Sequence, residues 1–302
     1  MPEPLRISVV IPHLNDPAAL ARCLAALAAG TRQPDEITVV DNGSAQPPQA
    51  VCAAHPGVRL LVEPMPGPGP ARNAGAAASS GDVLAFTDAD CLPDPGWLAA
   101  VEQAFGDPDL GILGGDVRVA VADPARLGMI EAYESIFGYQ VERYIRDIGF
   151  TITCNLAMRP GVLAAVGPFG GLAIAEDRDW GQRATAAGHR IRYAPGMIVR
   201  HPARRDFGQL ARKWDRHMGH DYMQAQDQPL GRLRFLAKTL VMAPSALAEL
   251  PRVLRSDRVE GPRNRAMAFA GLARIRAYRA RRMAWLLAGG DPARLSGAWN
   301  RG

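Results

Sequence analysis

Val83-Leu84-Ala85-Phe86-Thr87-Asp88-Ala89-Asp90 is the stretch on which the reading of the fold turns. Four apolar residues in a row suit a strand buried on both faces, as in a parallel sheet. The run delivers two carboxylates two positions apart, and period-2 geometry puts Asp88 and Asp90 on the same side of the extended chain. Open α/β sheets bind ligands outside the carboxyl ends of their strands. Two hard oxygen donors there suit a divalent cation such as Mg²⁺ or Mn²⁺, which shares its shell with substrate phosphates. The other reading is an Asp-rich turn leading into the next helix, and Pro93-Asp94-Pro95-Gly96 just beyond fits it equally well.

Working outward, the same pattern recurs upstream. Ile7-Ser8-Val9-Val10-Ile11 is β-branched, nearly all apolar and ends at Pro12. Asp16-Pro17 then opens a helix, Asp16 as N-cap and Pro17 in the first turn, that stops at Gly30. Residues 36–40 repeat the strand pattern and end in the turn Asp41-Asn42-Gly43-Ser44; a helix follows through Val51, then a strand over 58–62. A Pro/Gly-rich loop over 63–70 precedes an Ala-rich helix over 71–80. This alternation predicts an α/β fold, a Rossmann-like, mostly parallel sheet flanked by helices. Downstream the rhythm loosens. A strand is expected over 110–121, a helix over 127–146, a short helix over 177–187, and two short strands around Pro195-Gly196. From Arg204 onward the pattern is helical and Arg-rich, giving two expected domains, 1–203 and a basic helical extension over 204–302.

Composition sets the outer limits. The chain is 302 residues long and carries a net charge of +5, and this total hides an asymmetry of −7 over residues 1–202 and +12 over 203–302. An acidic body with a basic tail suggests that the tail faces something anionic. No stretch reaches the roughly 18–20 apolar residues of a membrane span. Nothing reads as a secretory signal, and Cys23, Cys52, Cys91 and Cys154 show no CxxC spacing. Free thiols in a reducing cytoplasm are therefore expected. The preference for Arg over Lys, 33 to 2, points to a GC-rich bacterial genome.

Polar groups at successive strand ends converge on one crevice in such a sheet. Here they are Pro12 to Asn15, Asp41, the loop before Arg72-Asn73, and the acid pair. A carboxylate at Asp41 suits a base edge or ribose, and the guanidinium fork of Arg72 suits phosphate. Ala74-Gly75 marks a small-residue helix that a bulky ligand could approach. Taken singly these are a common turn and a common surface charge; their recurrence at one end of consecutive strands is what points to a ligand.

Taken in order, these residues resemble the family 2 glycosyltransferases of the GT-A fold. The likeness rests on Ser8-Val9-Val10-Ile11-Pro12 with Asn15, on residues 35–44, on Pro70-Ala71-Arg72-Asn73-Ala74-Gly75 and on Phe86-Thr87-Asp88-Ala89-Asp90. Ala175-Glu176-Asp177-Arg178-Asp179-Trp180 with Arg183 and Gly188, then Ala194-Pro195 leading to His201, complete it. The resemblance implies an inverting, metal-dependent transfer of a sugar from a nucleotide-sugar donor to an acceptor hydroxyl, in cell-surface glycan or glycolipid synthesis. It implies that Pro12, Asn15, Asp41, Arg72 and Asp88 line the donor site and that Asp90, with His201, holds Mn²⁺ or Mg²⁺. Asp177 matches the family's general base, although an acidic helix start favoured by the macrodipole would look the same. The loop over 167–173 and the helix around Trp180 are expected on the acceptor side. The Gln-x-x-Arg-Trp motif of processive members is not matched, since Gln209-Leu210-Ala211-Arg212-Lys213-Trp214 has one residue too many.

Two other functions compete. A sugar-phosphate nucleotidyltransferase shares the scaffold but calls for a Gly-rich signature with a catalytic Arg or Lys near the N-terminus, which is not found. A degenerate binding module would not need Asp88, Asp90 and Asp177. In the tail, Met267, Ala270, Ile275, Tyr278, Met283 and Leu286 fall among Arg265, Arg274, Arg276, Arg279, Arg281 and Arg282. A basic helix with aromatic anchors suits an anionic membrane at the inner face of the cell and a lipid-linked acceptor; a helix packed on the rest of the protein is the other reading. No nucleic-acid-binding motif is found, and no nucleic-acid partner is expected.

Overall fold

The computed structural model describes residues 5–172 and 174–296. Ala173, the end of the expected acceptor loop, and residues 1–4 and 297–302 lie outside them. The chain divides into two compact units, one of residues 1–120 and 140–202, the other of 121–139 and 203–302.

The first unit is built on an eight-stranded sheet. β1 (Ile7–His13), β2 (Glu36–Asp41), β3 (Val58–Val62) and β4 (Val83–Phe86) are parallel. They are joined by α1 (Pro17–Ala28), α2 (Gln49–Ala53) and α3 (Pro68–Ala77). β5 (Leu92–Pro93), α4 (Trp97–Phe105) and β6 (Ile112–Ala120) follow. The chain then enters α5 (Met129–Phe137), which belongs to the second unit, and returns through α6 (Val141–Ile148). β7 (Leu156–Met158), α7 (Pro160–Val166), α8 (Glu176–Ala186) and β8 (Ile191–Pro202) complete it. The strand order is β3-β2-β1-β4-β7-β6-β8-β5.

The early strands form where the apolar runs lie because both their faces are covered. Ile7, Val9, Val10 and Ile11 of β1 and Val83, Ala85 and Phe86 of β4 have no exposed surface. Asp16 caps α1 by accepting from Ala19 N at 2.9 Å, and Leu20, Cys23, Leu24 and Leu27 bury one helical face. Beyond β4 the sheet becomes mixed, because β7 runs antiparallel to both β4 and β6. Three details differ from the sequence reading. α3 starts at Pro68, and Gly75 serves its packing on the sheet, since a Cβ there would lie 2.4 Å from Val10. The stretch around Pro195-Gly196 is a bulge within one strand, where the pairing with β6 shifts between Gly115 and Asp116. The long helix expected over 127–146 is two helices, α5 ending at Gly138 and α6 ending at the left-handed Gly149, φ +78°.

The second unit is helical. α9 (Phe207–Gln226), α10 (Gly231–Met242), α11 (Ser245–Ala248), α12 (Leu250–Arg255) and α14 (Ala293–Ser296) accompany α5 and the long α13 (Gly261–Leu287). Residues 121–139 group here rather than with the first domain as expected. The reason is the apolar face of α5: Ala132 and Ile136, with Leu127, form one core with Val253, Val259 and Ala268. Asn264 fastens the entry to α5, accepting from Leu127 N at 3.1 Å and donating to Pro124 O at 2.8 Å.

α13 turns its apolar residues inward: Ala268, Leu272, Ile275, Met283 and Leu286 are buried. Several of its arginines have partners within the unit. Arg279 lies 3.8 Å over the Trp214 ring and Arg274 4.1 Å over Phe207. Arg282 pairs with Asp215, and Arg276 with Glu249 at 2.9 Å. The amphipathic pattern of residues 264–287 is, in the fold, the pattern of a packed central helix.

Candidate active site

The carboxyl ends of β1, β2 and β4 lie side by side because the three strands are parallel, with His13 opposite Asp41 and Val10 opposite Phe86. Leaving β1, the chain passes Pro12 and His13 and turns at Asn15, which adopts left-handed φ +55°. Asn15 is exposed and ties two turns together, donating from its backbone N to Ser44 Oγ at 2.8 Å and accepting from Ala45 N at 2.9 Å.

Asp41 sits beneath this knot and is 1% exposed. One carboxylate oxygen faces His13 Nδ1 at 3.0 Å and the other accepts from Ser44 N at 3.1 Å. Burial alone would raise its pKa, but these bonds outweigh it and hold the carboxyl below its ordinary range. Asn42 secures the next loop, donating to Glu63 O at 2.9 Å and Met65 O at 2.8 Å and accepting from Gly67 N at 2.7 Å.

Arg72 is not the open phosphate-facing fork of the sequence reading. It is buried, 2% exposed, and its guanidinium donates to Asp88 Oδ1 and, at 3.0 Å, to Glu176 Oε1. Burial works against a charged guanidinium, yet the two carboxylates more than compensate and raise its pKa. Arg72 thereby joins the end of β4 to the start of α8. Asn73 makes a second junction, exchanging hydrogen bonds at 2.9 Å with the N–H and carbonyl of Phe169.

Asp90 is brought to His201 by the pairing of β5 with β8. Leu92 pairs with Arg200, so the next positions outward, Cys91 and His201, stand opposite each other. His201 Nε2 lies 3.7 Å from Asp90 Oδ2. His201 Nδ1 is 2.8 Å from Pro202 O, so a neutral ring with its proton on Nδ1 would present the Nε2 lone pair toward Asp90. Burial, partly offset by His201, raises the pKa of Asp90. Two facing acceptors of this kind fit a hard divalent cation. Ligand atoms of Asp90, Cys91 and His201 all lie within 4.8 Å of one another. The Cys91 thiol is the poor donor of the three, because a soft sulfur suits a hard cation less than oxygen or imidazole does; its hydrogen bond with Cys154 and its burial push its pKa up. Asp90 and His201 therefore fit Mn²⁺ or Mg²⁺, with coordination left for diphosphate oxygens.

Asp177 stands in the first turn of α8. The helix is pinned from behind: Trp180, 1% exposed, donates from Nε1 to Gly167 O at 2.9 Å, and Arg183 donates to Val166 O and Pro168 O, both at 2.7 Å. Burial first, then the neighbouring Glu176 carboxylate, push the Asp177 carboxyl up to about 6. A carboxyl poised there takes a proton readily near neutral pH. The sequence reading placed His13 among the strand-end residues 12–15 and Asn42 in the 41–44 turn without giving either a role of its own. It missed Cys91 and the role of Glu176 as Arg72's partner, for which the place beside Asp177 was a signal.

A mixed sheet flanked by helices, with an acidic, cation-fitting crevice at its strand ends, is the architecture of the GT-A class of glycosyltransferases. The model of the glycosyl transferase family 2 matches residues 8–167, and the chain belongs to that family. It is 33% identical over 215 residues to glycosyltransferase AglE of Haloferax volcanii, covering 68% of this chain and 70% of that one. It is 31% identical over 215 residues to the pre-mycofactocin glycosyltransferase of Mycobacterium tuberculosis, covering 66% of this chain but only 43% of that relative. In structure it is similar to a mannosyltransferase of Pyrobaculum calidifontis solved with GDP-Man and Mn²⁺. That likeness has a TM-score of 0.59 at 20% identity and covers 100% of this chain and 89% of the other.

Proposed function

We propose that this chain is an inverting, metal-dependent glycosyltransferase that moves a sugar from a nucleotide-sugar donor to an acceptor hydroxyl in cell-surface glycan or glycolipid synthesis. The observation that carries the reading is the raised carboxyl of Asp177 at the head of a helix tied through Glu176 and Arg72 to Asp88, two residues from Asp90.

Asp90 and His201 would hold the divalent cation, whose charge offsets that developing on the nucleoside diphosphate leaving group. Asp177 accepts the proton of the acceptor hydroxyl as its oxygen attacks the anomeric carbon. The bond from that carbon to the diphosphate oxygen breaks in the same displacement, so one step inverts the configuration. Asp41 orders the 42–45 turn at the nucleotide end, Asn15 and Pro12 border it, and Arg72 holds Asp88 in place. The GDP-Man and Mn²⁺ bound by the Pyrobaculum mannosyltransferase support this donor chemistry by analogy of fold.

The test is release of nucleoside diphosphate across a panel of nucleotide sugars, with and without Mn²⁺. Mn²⁺-stimulated release from at least one donor, lost in Asp177→Asn, is the expected result. Donor binding without turnover would make this a binding module instead, and release of pyrophosphate from a sugar phosphate and nucleoside triphosphate would make it a nucleotidyltransferase.

A further inference from the structure

Eight of the thirteen large apolar side chains exposed among the described residues fall between positions 230 and 254. In α10 the division is sharp. Phe235, Thr239 and Met242 are buried, while Leu233, Leu236 and Leu240 are 60%, 41% and 70% exposed. At about 100° per residue those three leucines form a stripe on the side of the helix away from the buried residues. Val241, Leu247, Leu250 and Leu254 continue the exposure through α11 and α12. A patch of this kind marks an interaction surface.

Its charge says what covers it. Residues 228–256 contain Arg232, Arg234, Lys238, Arg252 and Arg255 against the single acid Glu249. Arg232, Arg234 and Arg255 are exposed; Lys238 pairs with Asp221 at 2.7 Å. Leucines bordered by cations suit an interface where acyl chains meet anionic headgroups. Two copies of the same basic patch would repel in a self-complementary contact. Among the described residues no helix is long and apolar enough to cross a membrane, so the fitting geometry is a surface that lies in the interface.

We propose that α10 to α12 dock on an anionic bilayer, their leucines entering the headgroup boundary and their arginines meeting lipid phosphates. The basic helix α13 is not this surface; it is the core behind it, its apolar residues packed and several of its arginines already paired. The proposal goes beyond the catalytic reading and does not depend on it.

The experiment is flotation of the full chain with phosphatidylcholine vesicles and with vesicles holding about one-third phosphatidylglycerol. Wild type should float with the anionic vesicles and lose most of that binding at high salt. Leu233→Ser/Leu240→Ser/Leu247→Ser should weaken binding by about tenfold or more, because several methylene-rich contacts are lost. Arg232→Gln/Arg234→Gln/Arg255→Gln should abolish the preference for anionic lipid. All six side chains are exposed, so unfolding temperature should hold, and metal-dependent donor binding by calorimetry should be unchanged in both variants. Val62→Ser, at a 65% exposed position on β3, is the control that should float like wild type. No flotation of wild type, or equal flotation of the leucine variant, overturns the proposal. So does a wild-type dimer in solution that the leucine substitutions convert to monomer without any vesicle binding.

Discussion

Arg72 and Glu176, 104 residues apart in the chain, meet at 3.0 Å in an ion pair whose arginine is buried, and the same guanidinium holds Asp88. The end of the fourth strand and the first turn of α8 are thus fixed to each other by one side chain. In a group-transfer enzyme this matters because the donor's phosphates and the acceptor's proton must be handled in one geometry, where displacements of about 1 Å are costly.

Arg72→Ala should therefore destabilise strongly. It leaves Glu176 and Asp88, both half-buried, without a counter-charge, and the loss approaches the about 3–5 kcal/mol of broken buried pairs. Arg72→Lys should recover only part of it, since a single ammonium does not span two carboxylates as a fork does. Urea unfolding of both variants checks this; a wild-type midpoint for Arg72→Ala would remove the bridge from the account.

Asp90→Ala and His201→Ala should each weaken Mn²⁺-dependent binding of a nucleoside diphosphate by about tenfold or more, with metal-independent binding little changed. Calorimetry with and without Mn²⁺ measures it. Cys91→Ser should leave that affinity near wild type, because a soft sulfur is a poor ligand for a hard divalent cation.

The pH profile should follow Asp177. A base must be ionised to accept a proton, and a carboxyl at about 6 is mostly protonated at pH values below that. Turnover under kcat/KM conditions should rise as pH passes upward through about 6 and level off above it. Glu176→Gln removes the neighbouring negative charge and should move this limb to lower pH. Asp177→Asn should lower turnover by roughly 10²–10⁴-fold while donor binding persists.

Glu36, at the start of β2, has its carboxyl shifted the other way and gives a stability prediction. Hydrogen bonds from Ser80 and Ser8, with Arg6 nearby, hold its carboxyl down at about 2, below its ordinary 4.5. The stabilisation is complete above 4.5 and is lost as pH falls toward about 2. Glu36→Gln should cost about 1–2 kcal/mol at neutral pH and flatten the acid side of the stability curve. Thermal unfolding from pH 7 down to about 2.5 tests it.

The first four strands were legible in the sequence because each is a short apolar run closed by a turn, a pattern that depends only on neighbours along the chain. The end of β4 was legible beside those of β1 and β2 for the same reason, but the strand stops at Phe86 and Asp88 and Asp90 lie in a turn, with Asp88 O accepting from Cys91 N at 3.0 Å, rather than on one side of an extended chain. The pairing of Arg72 with Glu176 was not legible, since an isolated arginine and an acidic helix start each look like surface features until folding brings them together. Cys91 facing His201 depends on β5, two residues long and without any periodicity to read. In α13, the spacing of arginines and apolar residues is the same for a helix on lipid and a helix under other helices. The cation–π stacking on Trp214 and Phe207, the ion pairs with Asp215 and Glu249 and the buried apolar residues distinguish them.

The assignment of residues 121–139 to the helical unit has a consequence for how the chain can be cut and recombined. The polypeptide passes from one unit to the other three times, so no single cut releases either intact. A fragment ending at residue 202 would carry Leu127, Ala132 and Ile136 stripped of Val253, Val259 and Ala268. Chimeras that exchange the helical part between relatives must accordingly carry both segments together.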